Sequence, residues 1–161
     1  SFNRKHNSTN TSPITLACID MSEGRVGALI VFRRKDDLQF VIESGIALDA
    51  NVTRSLIKNI FFKNAPLHDG AVVIDNNRIE AAKCILPVTQ SNVPKSYGTR
   101  HRAAIGLSEM TDAVVLVVSE ETGAISIVKG GKVKSKVDPQ KLNTLLKQAL
   151  EEQEEKAQSE N

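Results

Sequence analysis

The sequence has no tryptophan, a single tyrosine and an aromatic content of only 4%. Proteins that hold single-stranded nucleic acid stack bases on aromatic side chains, and little is available here for such a platform. An excess of charge of one sign is also missing. The 21 Lys and Arg residues against 19 Asp and Glu leave a net charge of +2. Bulk electrostatics therefore does not draw this chain to a polyanion; only a local basic patch could. Cysteine is scarce. Cys18 and Cys84 form neither a Cys-x-x-Cys pair nor a zinc spacing, and read as buried, reduced thiols of a cytosolic protein. Long hydrophobic runs are absent too. The longest, Ala113–Val118, is far too short to cross a bilayer, and no signal-peptide pattern is present. The first residue is Ser rather than Met. We read this as a processed or trimmed start, compatible with a membrane segment upstream.

What is there is an ordinary globular composition: 161 residues, 40% apolar and 25% charged, enough for one domain with a real core. Residues 1–11 read as a polar tail or linker. "SPITLACIDMSEG" reads as a helix, with Ser12 as N-cap, Pro13 at its first position and Gly24 as its stop. "VGALIVF" (26–32) and "QFVIES" (39–44) read as strands, and 51–62 as a helix. "AVVI" and "RIEAAKCIL" form a hairpin around Asn76-Asn77. Residues 87–98 read as a mobile polar loop, followed by a helix from Arg100 to Met110. "AVVLVVS" (113–119) is apolar throughout, so it reads as a strand covered on both faces. "AISIVK" follows, and Asp138-Pro139 opens a last helix with a Leu142, Leu145, Leu146, Ala149, Leu150 stripe. From Glu151 the tail is acidic. Hairpins among helices predict an α/β fold: one domain, 12–150, with a mixed parallel and antiparallel sheet flanked by helices.

Three stretches could carry chemistry. In "GTRHR" (98–102), Thr99 is a plausible N-cap, which places Arg100, His101 and Arg102 in the first turn of a helix. Cations there oppose the helix dipole. With a phosphate bound, free backbone N–H groups, two guanidinium forks and an imidazole would converge on it. The bland alternative is a solvated basic turn. In "PLHDGAVVI", Asp69 at a loop-to-strand junction could bind a metal ion or take a proton from a hydroxyl, with Gly70 and Ala71 leaving room for a sugar. An ordinary Asp-Gly turn, and an exposed His68, fit the residues as well. In "VVSEETG", Glu120 and Glu121 follow the most apolar strand; if that strand extends through them, only one enters a given cleft. A charged hairpin turn is the plain reading.

Taken together, "LHDGAVV" (67–73), "GTRHRAAIGLSE" (98–109) and "SEETGAISI" (119–127) resemble the diadenylate cyclase domain family, and "GIALDANV" (45–52) is similar as well. The resemblance runs from about Gly27 to Leu150. It implies an enzyme that makes cyclic di-AMP from two ATP molecules, with a mixed sheet wrapped by helices. It further implies a homodimer in which each subunit binds one ATP, and each ribose 3′-hydroxyl attacks the α-phosphorus of the other ATP, expelling pyrophosphate. A divalent metal, Mg or Mn, is implied. Carried onto this chain, Asp69 is the essential acid, near the attacking hydroxyl and the metal. Gly70 and Ala71 line the ribose and phosphate path. Arg100, His101 and Arg102 hold phosphates and Thr99 adds a hydroxyl. Ser119 and Glu121 line the nucleotide site, with Glu121 the glutamate that faces the cleft. His68 reaches the metal with Asp69 and Glu121, and Leu86 lies against adenine. One departure stands out: Ile85 occupies a place where some members carry Tyr. Similarity to anchored members implies a cytoplasmic catalytic domain of a cell-membrane protein, and leaves any regulatory protein unidentified. An inactive adenine-nucleotide sensor of the same fold is the second reading. A nucleic-acid-binding domain using the 95–102 loop is the third, disfavoured by near-neutral charge and few aromatics.

Overall fold

The computed structural model describes residues 9–152. The segment 1–8, with His6, and the segment 153–161 of the acidic tail lie outside the described residues. Helix α1 (Ser12–Gly24) leads to β1 (Ala28–Phe32), a short α2 (Gln39–Ile42), β2 (Ile46–Asn51) and α3 (Arg54–Phe61). The hairpin β3 (Ala71–Asp75) and β4 (Arg78–Cys84) follows, then α4 (Thr99–Met110), β5 (Val114–Val118), β6 (Ile125–Lys129), β7 (Lys132–Lys134) and α5 (Leu142–Glu151).

The strands form one sheet of order β2-β4-β3-β1-β5-β6-β7. β1 and β3 run parallel, and the other pairs are antiparallel. This is the expected mixed sheet. The central strands are buried on both faces, which their unbroken apolar runs require. Alternate residues sort into two cores. Ile30, Phe32, Val72, Ile74, Leu116 and Val118 pack against α1, α3 and α5. Leu29, Val31, Val73, Val115 and Val117 pack against α4 and α2.

The register puts several chain reversals at one end of the sheet. Ala28 pairs with Val118, and Ala71 with Cys84. β1 and β3 therefore begin where β4 and β5 end, so residues 25–27, 62–70, 85–98 and 119–124 meet there.

Four expectations change in detail. "QFVIES" is not a strand. Asp37 accepts the Gln39 N–H (2.8 Å) and winds the segment into one helical turn that buries only Val41. The strand is the next segment, Ile46–Asn51, a half-exposed edge with a register shift between Ala47 and Ala50. Thr11, not Ser12, precedes α1, and Arg25 rather than Gly24 takes the left-handed conformation at its end (φ 53°). Gly98, not Thr99, is the N-cap of α4. Asp138-Pro139 begins a turn, closed by Lys141 N–H donating to Asp138 O (2.8 Å), and α5 starts at Leu142. The hairpin turn is as expected, with Asn76 and Asn77 both at positive φ (52° and 68°).

Two terminal stretches are pinned. Asn10 N–H donates to Asn77 Oδ1 (2.8 Å), and the Thr11 hydroxyl to Asn143 Oδ1 (2.7 Å). At the other end Arg34, only 6% exposed, donates to Leu150 O and Asp112 O, each at 3.2 Å. Lys129 Nζ donates to Ala149 O (2.9 Å). These cations satisfy carbonyls that the end of α5 leaves without helical partners. The polar loop 87–98 is likewise tied along α4, where Thr89 and Ser91 hydroxyls donate to Glu109 at 2.8 and 2.9 Å.

Candidate active site

Asp69 sits at the entrance to β3, its side chain 78% exposed. Gly70 follows at φ +86°, where an added Cβ would stand 2.6 Å from Cys84 O. Only glycine fits there, so the turn presents the carboxylate above the sheet end. His68 Nδ1 lies 2.7 Å from Ala65 O, and its Nε2 lies 3.4 Å from Asp69 Oδ1. A carbonyl oxygen can only accept, so Nδ1 carries the proton. In the neutral ring Nε2 then has a free lone pair facing the carboxylate. A carbonyl-anchored imidazole beside a carboxylate is a donor set suited to a divalent cation.

Three recesses border Arg100 and Glu120, and two of them reach Asp69. The first, of about 320 Å³, is apolar along Leu29, Cys84, Ile85, Leu86, Val88 and Ala103, and its polar edge carries Asp69, Gly70, Thr99, Arg100 and Glu120. Leu86 is 5% exposed and forms its floor, whereas Ile85, at 71%, presents the open apolar surface. The second, of about 120 Å³, opens at the start of α4 and is lined by Gly98, Thr99, Arg100, His101, Ser119, Glu120 and Glu121, among others. The third, of about 180 Å³, is polar and includes Arg25, Gly27, Lys63, Asn64, His68, Asp69, Arg100 and Glu120. Arg100 and Glu120 line all three and pair at 3.4 Å.

The three basic residues at the head of α4 have different fates. Arg100 turns into the cleft, its guanidinium lying over Gly27, where any Cβ would strike it. His101 is half-buried, stacks on Tyr97 (ring centroids 5.1 Å apart) and lies 3.5 Å from the Ser126 hydroxyl. Burial pushes its pKa down from 6.5, so it enters the site as a neutral imidazole near neutrality rather than as a cation. Arg102 is exposed and lines none of the three recesses. Residues two apart on a helix point about 200° apart, so Arg100 and Arg102 do not converge within one subunit. No side chain caps α4, which leaves the first-turn N–H groups open toward the second recess.

The alternation argument for Glu120 and Glu121 does not apply, because β5 stops at Val118. The Ser119 hydroxyl accepts the N–H groups of Glu121 and Thr122, each at 3.2 Å, and Gly123 closes the turn. Both glutamates reach the second recess, and Glu120 lines the other two as well. Glu121 does not share a recess with His68 and Asp69, and among the described residues no three His, Cys, Asp or Glu side chains cluster as a metal site. Ala71 is buried inside β3 and lines no recess of the cleft.

Sequence reasoning weighed Glu120 against Glu121 and chose the latter; it missed Gly27, Arg25, Lys63 and Asn64. The signal for Gly27 was present: a glycine heads a buried strand whose start lies at the sheet end that carries Asp69.

The family model for DAC, described as the DisA bacterial checkpoint controller nucleotide-binding family, matches residues 15–133. The chain belongs to the DAC family. This DAC chain is 46% identical over 134 residues to cyclic di-AMP synthase CdaA of Bacillus subtilis, covering 83% of this chain and 49% of that protein. It is 47% identical over 131 residues to a diadenylate cyclase of Listeria monocytogenes, covering 81% and 48%. A crystal structure of a double cysteine mutant of DacA from Staphylococcus aureus superposes with a TM-score of 0.85 at 42% identity, covering 88% of this chain and 95% of that one. The DAC chain spans about half the length of the curated relatives it matches.

Proposed function

We propose that this DAC chain is a diadenylate cyclase domain, condensing two ATP molecules into cyclic di-AMP and two pyrophosphates. The observation that carries this reading is that Asp69 and Arg100 line one recess against an apolar shelf built by Ile85, Leu86 and Val88. The shelf takes adenine; Ile85 and Val88 supply by dispersion what an aromatic ring would supply by stacking. Thr99, Gly70 and Arg100 border the ribose and α-phosphate. The 3′-oxygen of each ATP forms a bond to the other's α-phosphorus, the bond to the β-phosphate oxygen breaks, and pyrophosphate departs with its electron pair. Asp69 orients the hydroxyl and accepts its proton. Positioning and charge neutralisation dominate such transfers, so one fixed carboxylate and one fixed guanidinium per site go far.

His68 and Asp69 would hold Mg or Mn, with Glu121 as the further carboxylate that the resemblance assigns to the metal. When bound, the metal neutralises phosphate charge. Each subunit has one Asp69 and one Arg100, whereas reciprocal attack needs two of each, so the catalytic unit is a face-to-face homodimer. There Arg102, which faces away from its own cleft, is free to serve the dimer. Similarity to anchored members supports placing this domain in a parent protein with a membrane anchor upstream. In the described residues no helix is long and apolar enough to span a membrane, and the curated relatives are about twice as long.

Incubation with ATP and Mg or Mn is expected to release pyrophosphate and a cyclic dinucleotide. Asp69→Asn should lower the rate by a factor of about 10² or more while ATP binding largely survives, because the lost function is proton transfer and metal support. ATP binding without product at any metal or enzyme concentration would instead identify a nucleotide sensor.

A further inference from the structure

Resting on the cyclase reading, we propose that Glu109 is a positioning residue: through the loop after β4 it fixes the apolar shelf in place relative to Arg100. β4 ends at Cys84, so the shelf residues Ile85, Leu86 and Val88 have left the sheet and no strand ladder holds them. Their segment is seated on α4 instead. Pro87 O lies so close to that helix that a Cβ at Gly106 would stand 1.9 Å from it. Thr89 N–H donates to Arg102 O (3.1 Å). The hydroxyls of Thr89 and Ser91 then donate to the two carboxylate oxygens of Glu109, to Oε1 at 2.8 Å and to Oε2 at 2.9 Å. Arg102, Gly106 and Glu109 are spaced i, i+4, i+7, which makes one stripe along a helix. The first turn of the same helix carries Thr99 and Arg100. One element thus bears both the cation of the cleft and the seat of its apolar wall.

A second observation concerns Glu109 itself. An exposed glutamate on a helix ordinarily keeps its rotamer freedom, but this one is held from two sides. Gly131, at φ +77° in the β6–β7 turn, passes its stem so closely that an added Cβ would stand 3.0 Å from Glu109 Cγ. That turn is itself fixed to α4, where Gly131 N–H donates to Ser108 Oγ (2.9 Å). On the other side the Thr89 hydroxyl also accepts the Ser91 N–H (3.1 Å), a local bend that lets both hydroxyls reach one carboxylate. Hydrogen bonds to an ionised acceptor are about twice as strong as neutral ones. At the other end of the shelf the tie is neutral, Ile85 N–H donating to Ser44 Oγ (2.9 Å). Glu109 lines none of the three recesses, so it acts on a bound nucleotide only through the loop.

The test is calorimetric Kd for ATP together with steady-state kcat and KM on the full chain, below the thermal midpoint of every variant. The variants are Glu109→Ala, Glu109→Gln and Thr89→Ala combined with Ser91→Ala. Releasing the shelf removes binding that ground and transition states share, because the shelf lies away from the reacting phosphorus. Glu109→Ala should therefore raise Kd and KM by about five- to tenfold and leave kcat within about twofold. The double hydroxyl variant should match it, and adding Glu109→Ala to that background should cost no more than about twofold further. Glutamine has the same length and offers the hydroxyls one acceptor and one donor, so Glu109→Gln should stay within about threefold of the unsubstituted chain. A general loss of folding would instead lower the active fraction and kcat, leaving the Kd of the folded remainder alone. An unchanged Kd in Glu109→Ala, a kcat that falls as far as KM rises, a double hydroxyl variant without effect, or Glu109→Gln as weak as Glu109→Ala would each overturn the assignment. Failure of the cyclase reading shows separately, as ATP bound with no cyclic dinucleotide formed, and the Kd series then scores Glu109 alone. A chain that binds no ATP overturns both.

Discussion

Gly27 shows how a single missing side chain organises this cleft. Its absent Cβ is the space that the Arg100 guanidinium fills. The obstacle in Gly27→Ala is the far end of a flexible side chain, so the fold should lose no more than about 1 kcal/mol. Arg100 would be displaced from the junction, and cyclase turnover should fall by about tenfold or more, read as kcat/KM against thermal midpoint. Gly70→Ala differs in kind. A positive φ and a backbone oxygen, Cys84 O, both oppose the new carbon, so unfolding free energy should drop by about 2 kcal/mol or more. His101 ties the site to pH. Burial depresses its pKa below 6.5, so the unfolded chain binds its proton more readily. Its contribution to stability is full above the unfolded value and declines as pH falls below it. Thermal midpoints followed downward from pH 8 should fall below about pH 6.5, and His101→Phe should flatten that part of the curve. The residue types at Asp69, His68 and Arg100 were legible in the sequence. The neutrality of His101 and the reach of Glu120 were not, because burial and the end of β5 set them.

Among elements, the contrast between α2 and β2 is instructive. Val41 and Ile42 are β-formers, but Asp37 captures the Gln39 N–H and a helical turn wins; local hydrogen bonding overrides propensity in so short a segment. The long apolar strands were legible because burial on both faces leaves no competing pattern. Helices α1 and α3 are clamped by one carboxylate. Asp20 receives Arg54 Nε and Nη2 at 2.7 and 2.8 Å, and Lys58 Nζ lies 3.1 Å away. The Arg54 hydrogen bonds foremost, with Lys58, hold its pKa down at about 2. A depressed carboxylate stabilises the fold above its unfolded value, and this contribution is lost as pH falls from 3.8 toward 2. Asp20→Asn should remove that acid-limb dependence in a denaturation series. Arg34→Ala should be more damaging, by about 3 kcal/mol, because it removes a buried guanidinium that donates to Leu150 O at the end of α5 and to Asp112 O before β5.

For the whole molecule, the decisive fact is that β1 and β3 start where β4 and β5 stop. Asp69 from the loop before β3, Arg100 from the first turn of α4 and Glu120 from the turn after β5 meet at that end of the sheet. On the reciprocal attack proposed above, a single chain supplies one acid and one guanidinium where two of each are needed. The rate per enzyme should therefore fall on dilution below the dimer dissociation constant. Initial velocity against enzyme concentration should curve upward; strict proportionality down to about nanomolar protein would argue against paired subunits.

Taken by itself, the sequence determined the layered α/β architecture, because unbroken apolar runs of strand length and stripes of helical period can be buried in few other ways. It also determined the family, through three short motifs. Tertiary structure alone decided which of those side chains face one another. Arg100 enters the cleft and Arg102 does not, since a helix turns by a fixed angle. Both glutamates reach the recess at the head of α4, since the strand ends before them. Arg25, Lys63 and Gly27 join the site because strand register, which no local stretch of sequence encodes, brings their loops to the same end of the sheet.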